Sequence, residues 1–132
     1  MSVYLDTSAL LALLDADEER HQEAASQWAR LVDADHALVT GNYVLVETFA
    51  IVQRRLGMDA VRALERDLLP LVEIVWVDEE VHRVAAAMLI AANRRALSLV
   101  DCTSFEIMRR PGLVQAFAFD RHFEEQGFAT VT

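Results

Sequence analysis

Ser2-Val3-Tyr4-Leu5-Asp6-Thr7-Ser8-Ala9-Leu10 decides how the remainder of the chain is read. Val3, Tyr4 and Leu5 are β-branched, aromatic and aliphatic in turn, the composition of a short buried strand. The run stops on a carboxylate and two hydroxyls, and a helical pattern (Ala9, Leu10, Leu11, Leu13, Leu14) begins at once. A strand that ends on Asp and turns directly into a helix sets a charge at the carboxyl edge of a sheet. Open α/β folds place their chemistry at that edge. Helix capping by Asp6, Thr7 or Ser8 accounts for the same residues, so the choice rests on what the other segments bring.

Working outward, Ala116-Phe117-Ala118-Phe119 followed by Asp120-Arg121-His122-Phe123 repeats the device of an apolar strand with Asp at its carboxyl end. Between the two lie strands expected at Ala37–Thr40 and Leu71–Val77, and a last one is expected at Phe128–Val131. Helices are expected from about Glu18 to Asp33, with an apolar stripe of Ala24, Ala25, Trp28, Leu31 and Val32, and from Tyr43 to Leu56 behind Asn42. Further helices are expected over Met58–Leu69, capped by Asp59 and stopped by Pro70, over Glu79–Ala92 behind Asp78, and over Cys102–Arg110 behind Asp101. The order β-α-α-β-α-α-β-α-α-β-α-β implies an α/β fold, a largely parallel central sheet covered by helices on both faces. If the first and fourth strands flank the reversal of strand order, Asp6 and Asp120 face each other across the crevice there. A length of 132 residues fits a single domain spanning 1–132.

Composition narrows the chemistry. Hydrophobic residues make up 54% and charged ones 25%, a globular balance. No apolar run reaches the roughly 18 residues of a membrane span, and no basic stretch precedes an apolar core as in a secretory signal. The single cysteine, Cys102, fits a reducing cytoplasm and a buried hydrophobe's role. Twelve basic residues stand against 21 acidic ones, net −9, and all twelve are Arg. The absence of Lys excludes Schiff-base chemistry and a lysine general base. An acidic chain is a poor generic nucleic-acid binder, yet Arg94–His122 holds five Arg against three acids.

Four acids interrupt or terminate apolar sequence: Asp6, Glu47, Asp101 and Asp120. Glu47 sits within Val44-Leu45-Val46-Glu47-Thr48-Phe49, where a carboxylate costs desolvation unless it has a partner or a metal. Carboxylates gathered in one cleft repel each other unless a cation compensates. Oxygen ligands suit Mg²⁺ or Mn²⁺, whereas Zn²⁺ favours His or Cys, and the four His here are scattered. Such a cluster on Mg²⁺ serves phosphodiester hydrolysis and needs no Lys, Cys or His nucleophile. A receiver- or phosphatase-like domain, with Asp6 as phosphate acceptor, is the rival enzyme class; it calls for a late lysine that the chain lacks.

Tyr4-Leu5-Asp6-Thr7-Ser8-Ala9-Leu10, Asn42-Tyr43-Val44-Leu45-Val46-Glu47-Thr48, Leu97-Ser98-Leu99-Val100-Asp101-Cys102-Thr103-Ser104-Phe105 and Phe119-Asp120-Arg121-His122-Phe123 together resemble the PIN-domain ribonucleases, and more narrowly the VapC toxins of toxin–antitoxin pairs. The resemblance covers essentially the whole chain. It implies a three-layer α/β/α domain, Mg²⁺- or Mn²⁺-dependent endoribonuclease activity, a homodimer, and inhibition by a small cognate antitoxin. It carries the family's acidic quartet onto Asp6, Glu47, Asp101 and Asp120, with Ser8 and Thr7 as the hydroxyls after the first Asp. Asn42 matches a common polar residue, and capping explains it equally well. Local charge alone makes Arg94, Arg95, Arg109, Arg110 and Arg121 candidate RNA contacts. A PIN-like module that binds RNA or a partner without cutting is the non-enzymatic alternative. The acidic pocket suits an arginine-bearing antitoxin segment.

Overall fold

The computed structural model describes residues 1–131. Five strands form one all-parallel sheet: β1 (Ser2–Leu5), β2 (Ala37–Gly41), β3 (Val72–Val75), β4 (Gln115–Phe117) and β5 (Ala129–Thr130), in the spatial order β3-β2-β1-β4-β5. The order reverses at β1, whose neighbours are β2 and β4. The first and fourth strands therefore do flank the crevice, with Leu5 opposite Phe117 in register. β1 is central, and Val3, Tyr4 and Leu5 are all fully buried, as a strand covered on both faces demands. The edges are blunted by brevity at β5 and by exposed Glu73 in β3.

Seven helices connect the strands: α1 (Thr7–Leu14), α2 (His21–Asp33), α3 (Asn42–Leu56), α4 (Met58–Ala63), α5 (Glu79–Ala92), α6 (Leu99–Arg109) and α7 (His122–Glu125). Right-handed crossovers put α1–α4 on one face and α5–α7 on the other, because the chain reverses direction across the sheet after β3. Side chains agree: Tyr4 donates its hydroxyl to Ser104 Oγ in α6 at 2.8 Å and packs on Phe123 of α7. Phe105, Phe123 and Phe128 form an aromatic cluster on that face. Cys102 is fully buried within the core, and burial pushes its thiol up. No helix among the described residues is long and apolar enough to cross a membrane.

Several local expectations are corrected. α2 starts at His21, because Asp15 Oδ1 accepts from Asp17 N at 3.0 Å and holds the preceding acidic run in a turn. Its buried stripe contains Gln27, while Ala25 and Val32 are exposed. Asn42 is no cap; Gly41 holds that position, and Asn42 Oδ1 accepts from Val77 N at 2.6 Å, tying α3 to the end of β3. Asp59 pairs with Arg62 at 2.9 Å inside α4 instead of capping it. The expected helix Met58–Leu69 ends early as α4, then loosens into a π-helical turn at Leu64–Leu68 and a 3-10 turn at Leu69–Leu71 around Pro70. α5 keeps its expected bounds, with Asp78 accepting from Val81 N at 2.9 Å.

Gly41 allows β2, α3 and the opposite face to meet. A Cβ there would lie 2.7 Å from Ile107 Cδ1 and 3.2 Å from the Tyr4 hydroxyl. Its φ of −104° is ordinary, so the requirement is purely steric.

Candidate active site

Asp6 ends β1 and is the N-cap of α1, accepting from Ser8 N at 3.2 Å. Asp6 thus caps α1 and stands at the carboxyl edge of the sheet. Ser8 Oγ also donates to Asp6 Oδ2 at 2.6 Å and accepts from Phe119 N at 2.9 Å. One hydroxyl therefore joins the carboxyl end of β1 to the segment after β4. Thr7 points elsewhere: its Oγ1 accepts from Thr48 Oγ1 at 3.1 Å, fastening α1 to α3.

Asp101 does not open α6. Ser98 is the N-cap, and Asp101 stands three residues in as the other half of a capping box. Ser98 Oγ accepts from Asp101 N at 3.0 Å, and Asp101 Oδ2 accepts from Ser98 N at 3.1 Å. The signal Ser98-Leu99-Val100-Asp101 is present in the sequence, hidden inside an apolar run. Asp120 lies three residues past the last residue of β4 and accepts from His122 N at 2.9 Å.

These carboxylates lie near enough for Asp101 and Asp120 both to act on Asp6. Ligand atoms of Asp101, Asp120 and His122 lie within 4.8 Å of one another. Burial pushes Asp6 up to about 6, against the pull of the Ser8 hydrogen bonds, and the charges of Asp101 and Asp120 push it the same way. Burial also raises Asp101, and Asp120 adds to it. The N-terminal ends of α1 and α6 point their partial positive charge at the group, which offsets part of the repulsion. Asp6 and Glu47 both lie outside that 4.8 Å group, Glu47 beside Val100 in a shallow apolar pocket with Tyr43 and Val46.

His122 is the site residue that sequence reasoning passed over. Its Nε2 faces Ala96 O at 3.1 Å and its Nδ1 faces Glu125 Oε1 at 3.1 Å. Both ring nitrogens thus face protein oxygens, and a neutral imidazole can donate to only one of them. With Arg94–Glu125 at 3.4 Å, it straps the loop before α6 to α7. Of the five candidate arginines, Arg94 and Arg95 lie in that loop, and Arg121 adjoins Asp120. Arg109 and Arg110 sit at the opposite end of α6, about 12 Å along its axis from Asp101. There Arg109 lies over Phe128 and Arg110 pairs with Glu106 and Glu80.

The donor set fits a hard divalent cation: oxygen ligands from two strand ends and one helix start, two of them buried and mutually repelling without positive charge.

Residues 3–129 match the family described as PIN domain. The chain belongs to the PIN-domain family. Within it, this PIN domain is 35% identical over 130 residues to the 23S rRNA-specific endonuclease VapC20 of Mycobacterium tuberculosis, covering 98% of this chain and 97% of that one. The crystal structure of VapC20, described as a Sarcin-Ricin loop cleaving toxin, superposes with a TM-score of 0.85 at 34% identity, covering 98% of each chain. Two more distant structures share the fold at a TM-score of 0.72. They are VapBC2 from Rickettsia felis bound to a promoter DNA fragment (12% identical, 99% and 98% covered) and FitAcB from Neisseria gonorrhoeae (18%, 100% and 97%).

Proposed function

We propose that this PIN domain is a metal-dependent endoribonuclease and the toxin of a VapBC-type toxin–antitoxin pair. The observation that carries the reading is the convergence of Asp6, Asp101 and Asp120 at the switch point between β1 and β4. These three would hold Mg²⁺ or Mn²⁺, with Glu47 completing the acidic wall from α3. A divalent cation there supplies positive charge to the scissile phosphate and acidifies water. Asp6 must give up its proton to join the set, so affinity for the cation falls below about pH 6. Ser8 holds Asp6 Oδ2 in place during that loss, and the Ser98–Asp101 capping box fixes the second carboxylate to the helix start.

VapC20 is named for 23S rRNA, which makes ribosomal RNA the first substrate to try, and cleavage there would arrest translation. The acidic crevice suits an arginine-bearing segment of a small antitoxin, and a cytoplasmic location follows from that role. The expected homodimer has apolar surface to use: a groove of about 690 Å³ lined by Leu45, Val46, Phe49, Ile74 and Trp76, of which Trp76 is 71% exposed.

The deciding experiment is cleavage of a sarcin–ricin-loop RNA and of total RNA by purified protein. Asp6→Asn should abolish cleavage with an unchanged circular dichroism spectrum, and EDTA should stop the wild type. Cleavage that survives in EDTA overturns the metal-dependent reading.

A further inference from the structure

Beside the acidic group, on the β5 side, lies a cavity of about 190 Å³, lined by Arg20, Glu23, Phe119, Asp120, Arg121 and Glu124 among others. It adjoins that group, because Phe119 N donates to Ser8 Oγ and Asp120 belongs to both. The Arg20 guanidinium lies over the Phe119 ring, 5.1 Å from its centroid. The Phe119 ring also makes a T-shaped contact with Phe117, their centroids 6.0 Å apart. Arg20 thus brings a planar, half-exposed cation, 54% accessible, to a cavity smaller than the roughly 300 Å³ of a drug-sized site. The space suits a single nucleotide's base.

The charges point the same way. Glu23 is paired with Arg20 at 3.3 Å and Glu124 accepts from Thr130 Oγ1 at 3.0 Å, so the carboxylates are held in place. A mixed lining of arginine and carboxylate repels a bare anion as much as it draws one. It matches a base, which stacks on a guanidinium plane and donates from its ring or amino N–H groups to carboxylates. Arg121 is exposed and appears in none of the ion pairs among the described residues. It stands next to Asp120, where the following phosphate of a bound strand would run.

Resting on the endoribonuclease reading, we propose that this cavity is the subsite for the nucleotide flanking the scissile phosphate. Arg20, carried on Phe119, is its stacking platform, and Arg121 is its phosphate contact. Arg20 comes from the turn before α2, about a hundred residues from Phe119, so no motif announces the pair.

The test uses full-length protein in two backgrounds. In Asp6→Asn, which binds without cutting, a sarcin–ricin-loop RNA hairpin is titrated at several salt concentrations. Arg20→Ala should weaken binding about tenfold through lost stacking. Arg20→Lys should recover only part of it, since an ammonium has no plane to stack on. Arg121→Ala should lower the salt slope by about one. With Asp6 intact, Arg20→Ala should raise KM by a similar factor and leave kcat within about twofold. The subsite is overturned if Arg20→Ala and Arg121→Ala, melting at the parent temperature, bind RNA with the parent affinity and salt slope. Failure of the wild type to cleave RNA would instead count against the endoribonuclease reading, while the binding titrations would still judge the subsite.

Discussion

Asp6 and Asp120 both follow an apolar strand, yet the two strand ends are built differently. Asp6 comes immediately after β1, is 4% exposed and is committed to α1 as its cap. Asp120 comes three residues after β4, and its side chain is 34% exposed. It is held by one backbone N–H and the His122 strap. The buried carboxylate carries an electrostatic load when no cation is present; the open one is relieved by water. The candidate site therefore joins a buried carboxylate on a rigid element to a half-exposed one on a turn.

The sharpest way to break this contrast is to remove each charge and measure stability in EDTA. Raising a carboxyl from 3.8 to about 6 corresponds to roughly 3 kcal/mol at neutral pH. Below about pH 4 the folded and unfolded chains both hold the proton. Between about 4 and 6 the unfolded chain loses it first, so metal-free stability falls as pH rises and levels off above about 6. Asp6→Asn should remove the larger part of that slope, leaving the share of Asp101, and stabilise the metal-free protein at pH 7 by up to about 3 kcal/mol. Asp120→Asn should stay within about 0.5 kcal/mol of wild type. Urea titrations across pH check both, and an unchanged slope in Asp6→Asn would assign the strain to another group.

A smaller effect is expected from the hydroxyl that couples the two ends. Ser8→Ala removes a donor to Asp6 and orphans Phe119 N, at a cost of about 2 kcal/mol. Because that bond favours the charged carboxylate, its loss should move the acid limb of the cleavage profile to higher pH. Thr7→Ser, whose hydroxyl faces α3, should leave that limb in place. Equal limbs in Ser8→Ala and wild type would show that the coupling does not reach Asp6.

What could be read from the chain follows the same division. Asp6 was legible because strand, carboxylate and helix are contiguous; that β1 lies beside β4 stood only as a condition until the sheet order met it. α5 was legible to the residue because Asp78 caps it locally. The misses are long-range or masked. Asn42 looked like a cap because its partner, Val77 N, is 35 positions away. Ser98 was hidden by the apolar residues around it, which delayed the expected start of α6 to Cys102. The π-helical turn at Leu64–Leu68 has no residue signature beyond the approaching Pro70. His122 and Arg20 are polar residues at helix starts, and only folding brings Ala96 and Phe119 to them.

Gly41 sets a limit on how this chain can drift. Alanine is the commonest small step from glycine, and at this junction its methyl group would collide with Ile107 Cδ1. The step opens only after Ile107 has itself been trimmed, as in Ile107→Val, which removes the offending carbon. Two substitutions 66 positions apart, one at the end of β2 and one on α6, are thereby tied into one historical order, with the loss at 107 coming before the gain at 41.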